Sequence, residues 1–252
     1  MPYFETISSQ VQAAREHAMR QKRMDVAQLR IAAVSTIGPQ LLSDLLMNFR
    51  NDHPTVEFDI TGGSPDDALT ALREGKVDVA LVAGTEETDV HFNTIKLSEE
   101  RLVVVVSPNH LFAARNAIGI DDLDGHACIH QRDCQIFQSI ERLLEGRNVA
   151  LKKVLSSGRD DWVLEMVRAE MGFAIMPESS VNDPCLVVRQ LVEPEAVRNV
   201  VLATARGRPH SPAVSAFVAA ARANRDVHSR DSVTGTVLAR RTPRLRLVQA
   251  SA

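Results

Sequence analysis

The sequence predicts an α/β protein organised as two successive sets of strand–helix units. Three observations lead there. Short runs of Val, Ile, Leu and Ala, bounded by Gly, Pro, Asp or Ser, recur along the chain and suit strands buried on both faces. Between them lie segments whose apolar residues fall three and four apart, the spacing of a helix with one buried face. The alternation starts at Leu29, is interrupted near Pro108 and restarts after Asp121, which implies right-handed βαβ units and parallel pairing twice over.

Composition sets bounds. Of 252 residues, 44% are hydrophobic, ample for one large core or two smaller ones. The formal charge of -3 gives no global argument for nucleic acid or a membrane surface. One Trp and one Tyr make no visible platform for stacking bases. No apolar run approaches a membrane span, and the opening MPYFETISSQVQ lacks the basic-then-apolar pattern of a signal peptide. Three cysteines, an odd number without metal-ligand spacing, point to a reduced, cytoplasmic protein.

The elements follow in order. Residues 1–28 read as a polar helix with a thin apolar seam at Phe4, Ile7, Val11, Ala14 and Ala18. Such a seam pairs with another helix, as in a coiled coil or linker, or lies against the domain behind it. LRIAAV from Leu29 is a buried strand that runs into Ser-Thr-Ile-Gly-Pro. Pro39 suits the first turn of the next helix, which ends at His53-Pro54. Val56 to Thr61 is the second strand. Ser64, Pro65 and Asp67 then form a capping-box-like start to a helix that stops at Gly75. Val77 to Ala83 is the third strand, and Phe92 to Leu97 and Arg101 to Ser107 read as two more. The second set has strands at Ala127 to Gln131, Lys153 to Ser157 and Phe173 to Met176, with helices from Gln135 to Leu144 and Asp160 to Glu170. Val197 to Ala205 is the last strand and Ser211 to Ala223 the last helix, with a polar, Arg-rich, disordered tail from residue 226.

The turn after Val34 is the first candidate site. Ser35 and Thr36 stand at the carboxyl end of a strand and beside a helix N-terminus, where free N–H groups and the helix dipole favour an anion such as a carboxylate. The same hydroxyls could instead cap the helix. No Gly-rich phosphate loop, metal cluster or nucleophile–base pair stands out, so neither a cofactor nor an enzyme is predicted.

Several ordered features resemble the linker helix and effector-binding domain of LysR-type transcriptional regulators. LRIAAVSTIGPQLLSDLLMNFRNDHPTVEFDITGG resembles the family's first strand, helix and second strand, with Phe49 and Pro54 in its F-x-x-x-x-P. LREGKVDVALVAG resembles its L-x-x-G-x-x-D-x-A signature through Leu72, Gly75, Asp78 and Ala80. RLVVVVSPNHLFA resembles the crossover strand, with Pro108, His110, Leu111 and Ala113. MGFAIMPES matches the family's later glycine motif at Gly172 and Pro177 and departs from its second glycine at Ala174. The resemblance runs from Tyr3 to about Ala223.

The resemblance implies two Rossmann-like subdomains of the type II periplasmic-binding-protein kind, joined by two crossing strands and preceded by a long linker helix. The first would be 29–104 plus 209–225, the second 105–208. It implies a small, anionic effector in the cleft between them, dimers or tetramers of the chain, and control of transcription. The effector-binding residues it points to are Ser35, Thr36, Gly63, Ser64, Gln131, Arg132 and Phe173, with Phe173 as an apolar wall. Arg132 is either a carboxylate clamp or a surface arginine, and His130 reads as structural. The family's winged helix-turn-helix would precede Met1, so promoter DNA is expected to be met through a domain outside this sequence. A peroxide-sensing branch uses a cysteine pair in the second subdomain. Cys128 and Cys134 match its spacing poorly, which leaves buried, inert thiols as the expectation. A free-standing cytoplasmic binding protein without a DNA role is the other reading.

Overall fold

The computed structural model describes residues 27–84, 90–132, 135–193, 195–234 and 244–245. The helix expected over residues 1–28 lies outside them, except for Ala27 and Gln28, which already belong to the first strand. Cys134 also lies outside them.

The first subdomain opens with β1 (Ala27–Val34), α1 (Pro39–Asp52), β2 (Val56–Gly63), α2 (Pro65–Glu74) and β3 (Val79–Gly84). Strand β1 is the centre: β2 and β3 flank it, both parallel to it. Burial on both faces explains its nearly unbroken apolar run, in which Leu29 and Ile31 are fully buried. Helix α1 buries Leu45 and Phe49. Helix α2 starts with a complete capping box at Ser64 and Asp67 and stops at Gly75, whose φ of 77° is the left-handed conformation that ends helices.

The chain then crosses over on β4 (Phe92–Val106), one continuous strand of 15 residues where the sequence suggested two. Polar Ser98-Glu99-Glu100 reads as a break. The pairing runs through it, with a register shift opposite Val200/Val201. The second subdomain follows as β5 (Ala117–Gly119), β6 (Ala127–Gln131), α3 (Gln135–Gly146), β7 (Lys152–Ser157), α4 (Asp160–Arg168), β8 (Phe173–Pro177) and β9 (Val187–Val192). Strand β6 repeats the role of β1, flanked in parallel by β7 and β8. Gly172 permits the β6–β8 approach, because a Cβ there would stand 2.4 Å from the Ala127 carbonyl oxygen. The chain returns on β10 (Glu195–Ala205) and closes with α5 (Pro212–Thr234), whose Phe217 packs edge-on against Phe49 with ring centroids 5.1 Å apart.

The main strand order is β2-β1-β3-β10-β4-β8-β6-β7. Strand β10 pairs antiparallel with both β3 and β4, so it belongs to the first sheet. Its Val200 to Ala203 sit in the first core. Beyond Arg101, β4 turns to β8 and β9, and Leu102, Val104 and Val106 join a core of the second half. The boundaries therefore move from the expected 105–208: the second half spans roughly 102–197, and β10 returns to the first. Helix α5 also outruns its expected end, continuing through residues 226–234 of the segment expected to be disordered. No Gly or Pro interrupts it between Pro212 and Gly235. Among the described residues no helix is long and apolar enough to cross a membrane.

Candidate functional site

The carboxyl ends of β1 and β2 face those of β6 and β7 across a seam. Register fixes the two rims: Val34 lies beside Gly63, and Gln131 beside Ser157. After Val34 the chain makes a tight turn, with the Ile37 N–H donating to the Val34 carbonyl at 3.0 Å. Gly38 is the N-cap of α1 and Pro39 its first residue, and no side chain caps this helix. Ser35 and Thr36 thus do not cap α1; their groups go elsewhere.

Ser35 is exposed at the rim. Its N–H donates to the Gly63 carbonyl at 3.2 Å, and its hydroxyl donates across the seam to the Gly158 carbonyl at 3.4 Å. Arg132 is exposed on the facing rim, where its guanidinium donates to the Ser156 carbonyl at 3.3 Å and its N–H to the Ser157 carbonyl at 2.8 Å. A hydroxyl and a guanidinium therefore converge on the three-residue stretch Ser156-Ser157-Gly158. Among the described residues only one guanidinium nitrogen is engaged, which leaves donors enough to clamp a carboxylate.

Beneath the rim lies a buried polar knot. Thr36 is 1% exposed. Its hydroxyl accepts from an Arg198 terminal nitrogen at 2.9 Å, and its carbonyl accepts from the other. Arg198, on β10, also grips the Glu100 carboxylate of β4 at 2.7 and 2.6 Å. The Ser179 hydroxyl donates to the other Glu100 oxygen at 2.8 Å, and Ser180 reaches the Thr36 carbonyl at 3.3 Å. One arginine thus ties the β1–α1 turn to both crossing strands, while the serines following β8 join the second subdomain to them. Gly38 makes the approach possible, since a Cβ there would stand 2.7 Å from the Ser179 Cβ.

Gln131 is fully buried at the end of β6. Its amide donates to Asp160, the first residue of α4, at 3.0 Å, and its carbonyl oxygen has no partner among the described residues. Burial pushes the Asp160 carboxyl pKa up, against the pull of Ser180, Gln131 and the Arg198 charge.

The expected site residues thus separate. Ser35, Arg132, Gly63 and Gln131 gather at or under the seam, as does Thr36. The Ser64 hydroxyl is occupied locally, donating to the Asp67 carboxylate at 2.7 Å and accepting its N–H at 3.2 Å. Phe173 is no cleft wall: it is completely buried in the second core, 5.8 Å from the Phe112 ring centroid. Strand β8 is covered on both faces: Phe173 and Ile175 pack into one core cluster, Ala174 and Met176 into another. Sequence reasoning missed Arg198, Glu100, Asp160 and the Ser179-Ser180 pair. His130 is half-buried beside Phe137, and burial lowers its pKa. Burial pushes the Cys128 thiol up to about 12, so its thiolate is scarce at neutral pH.

Residues 22–226 match the model of the LysR substrate binding domain. An uncharacterized HTH-type transcriptional regulator of Bacillus subtilis, YybE, is 25% identical over 72% of this chain. A probable nitrogen assimilation transcriptional activator of Synechococcus elongatus is 26% identical over 75% of it. The chain spans 63% and 64% of the lengths of these two relatives. Among solved structures, the effector binding domain of QuiR in complex with shikimate superposes with a TM-score of 0.73 at 25% identity, covering 81% of this chain and 99% of that one. The reduced form of the OxyR regulatory domain of Pseudomonas aeruginosa gives 0.66 at 20% identity, covering 79% and 99%.

Proposed function

The chain belongs to the LysR substrate-binding domain family, and we propose that it is the sensor module of a transcriptional regulator whose seam receives a small carboxylate effector. The observation that carries this is the meeting of the Ser35 hydroxyl and the Arg132 guanidinium on Ser156-Ser157-Gly158. Ser35 belongs to one half and Arg132 to the other, so an anion held by both favours the closed arrangement. Uncapped N–H groups at the start of α1 add favourable charge on the same side. Gly63 and Gln131 complete the lining, with Thr36 beneath. The module binds and releases its effector unchanged, acts as a homo-oligomer in the cytoplasm, and meets promoter DNA through a winged helix-turn-helix carried outside this sequence.

Calorimetric titration of the chain with a panel of small carboxylates, beginning with shikimate, tests the proposal. One member should bind saturably and be recovered intact. Ser35→Ala and Arg132→Ala should each weaken it about tenfold, the worth of one charge-assisted or well-placed hydrogen bond. Thr36→Val is a poorer probe, because it strands a buried Arg198 donor as well. Unchanged affinity in both rim variants would place the site elsewhere, and product formation would make the protein an enzyme.

A further inference from the structure

Gln131 ends β6 and is completely buried. Its register partner is Ser157, the middle of the stretch on which the two rims converge. The carbonyl before Ser157 accepts from Arg132, and the carbonyl after it accepts from Ser35. Gln131 thus lies just inside the place where the rim hydroxyl and the rim guanidinium meet.

A single bond orients its amide. The nitrogen donates to the Asp160 carboxylate at 3.0 Å. A carboxylate and an amide oxygen are both acceptors, so the oxygen is turned away from Asp160. That oxygen, Oε1, is buried and has no partner among the described residues. A buried acceptor left unmade is costly, and such groups in folded proteins are nearly always met by protein, water or ligand. The rim therefore offers donors, and the layer beneath it offers an acceptor.

We propose that Gln131 Oε1 accepts a hydrogen bond from a hydroxyl of the effector, so that the seam selects hydroxycarboxylates over carboxylates lacking that group. The inference rests on the carboxylate reading of the seam and narrows it. Ser35 and Arg132 suit the carboxylate, which only accepts. Gln131 Oε1 calls for a group with a proton to give, and a hydroxyl supplies one without a charge. An ammonium also donates, but a buried cation needs a paired counter-charge. The Asp160 carboxylate is already engaged by the Gln131 amide, and the guanidinium of Arg132 opposes a second cation on the same side. Gln131 is covered in the shut seam, so the hydroxyl reaches it when the halves part and is enclosed as they close.

Calorimetric titration of the full chain with matched acids tests the proposal: malate, succinate and aspartate; lactate, propionate and alanine; shikimate and cyclohex-1-ene-1-carboxylate. One hydroxy acid should bind about tenfold more tightly than its deoxy partner, the worth of one well-placed hydrogen bond. The amino acid of the set should not replace it. In nitrogen-15 spectra the Gln131 side-chain amide should move with the hydroxy acid and stay in place with the deoxy one. Gln131→Met, which keeps the volume and removes the acceptor, should bring the two partners to equal affinity. A merely structural role would weaken both and leave their ratio unchanged. Equal binding of hydroxy and deoxy partners by the parent chain would overturn the hydroxyl contact and leave the carboxylate sensor standing. So would a preference that survives Gln131→Met, or tighter binding of the amino acid. Binding by no member of any set would overturn this inference together with the carboxylate reading. The parent chain decides the question even if Gln131→Met does not fold, through the affinity ratio and the amide signal.

Discussion

Strands β1 and β2 end in turns of the same kind. Each runs into a short stretch of Ser, Thr or Gly and then into a helix that begins with proline. At α2 the polar group stays local: Ser64 and the third helical residue, Asp67, satisfy each other's donors. At α1 the third helical residue is Leu41 and the N-cap is Gly38, so nothing local engages the hydroxyls. They reach instead to Gly158 on the facing rim and to Arg198 on a crossing strand. A hydroxyl left without a capping partner is available for distant contacts, and the seam is assembled from those that were left.

Substitutions can break or sharpen this contrast. Arg198→Met should have the largest effect, because it leaves the Glu100 carboxylate buried without its cation. Removing one partner of such a pair costs about 3–5 kcal/mol, to be read as a lower urea midpoint. The half-exposed pair of Arg30 and Asp78, 2.7 Å apart, offers the control: Arg30→Ala should lower stability by about 1 kcal/mol or less. Gly38→Ala should follow, at about 1–3 kcal/mol, since its methyl would collide with Ser179. The same change should loosen the seam, seen as faster amide exchange at Ile37. Ser64→Ala and Ser35→Ala come last and should part company. Loss of the α2 cap should lower stability by about 1 kcal/mol and leave carboxylate binding alone. Loss of the rim hydroxyl should change stability by only about 0.5 kcal/mol and weaken binding.

Much of the scaffold was legible beforehand. Strand β1 announced itself because burial on both faces demands an unbroken apolar run, and the Ser64 cap because its chemistry lies within four residues. What escaped was non-local. In EAVRNVVLA, Arg198 reads as an ordinary outward-facing position of an alternating strand. Only Glu100, 98 positions away, makes its burial tolerable. Ser98-Glu99-Glu100 likewise looked like a gap between strands, although Glu99 simply faces solvent beside Lys96 and Glu100 belongs to the buried knot. Phe173 was misplaced for the converse reason. Its motif lies near the cleft, but an apolar residue gives no sign of which side of a doubly covered strand it will occupy. Strand β5, with three residues, is too short to show a period at all.

The chain leaves the first subdomain on β4 and re-enters it on β10, so the second is an insertion held at two points. Such a unit can be exchanged as a cassette. A graft cut at the two crossings, near residues 102 and 197, would bring its own Asp160, Ser179 and Ser180 and leave Thr36, Glu100 and Arg198 in the recipient. A hybrid of two family members would therefore inherit half of the knot from each parent. Its compatibility would turn less on matching the exchanged core than on whether the donor brings two hydroxyls in tandem after β8, and whether the recipient has a glycine to receive them.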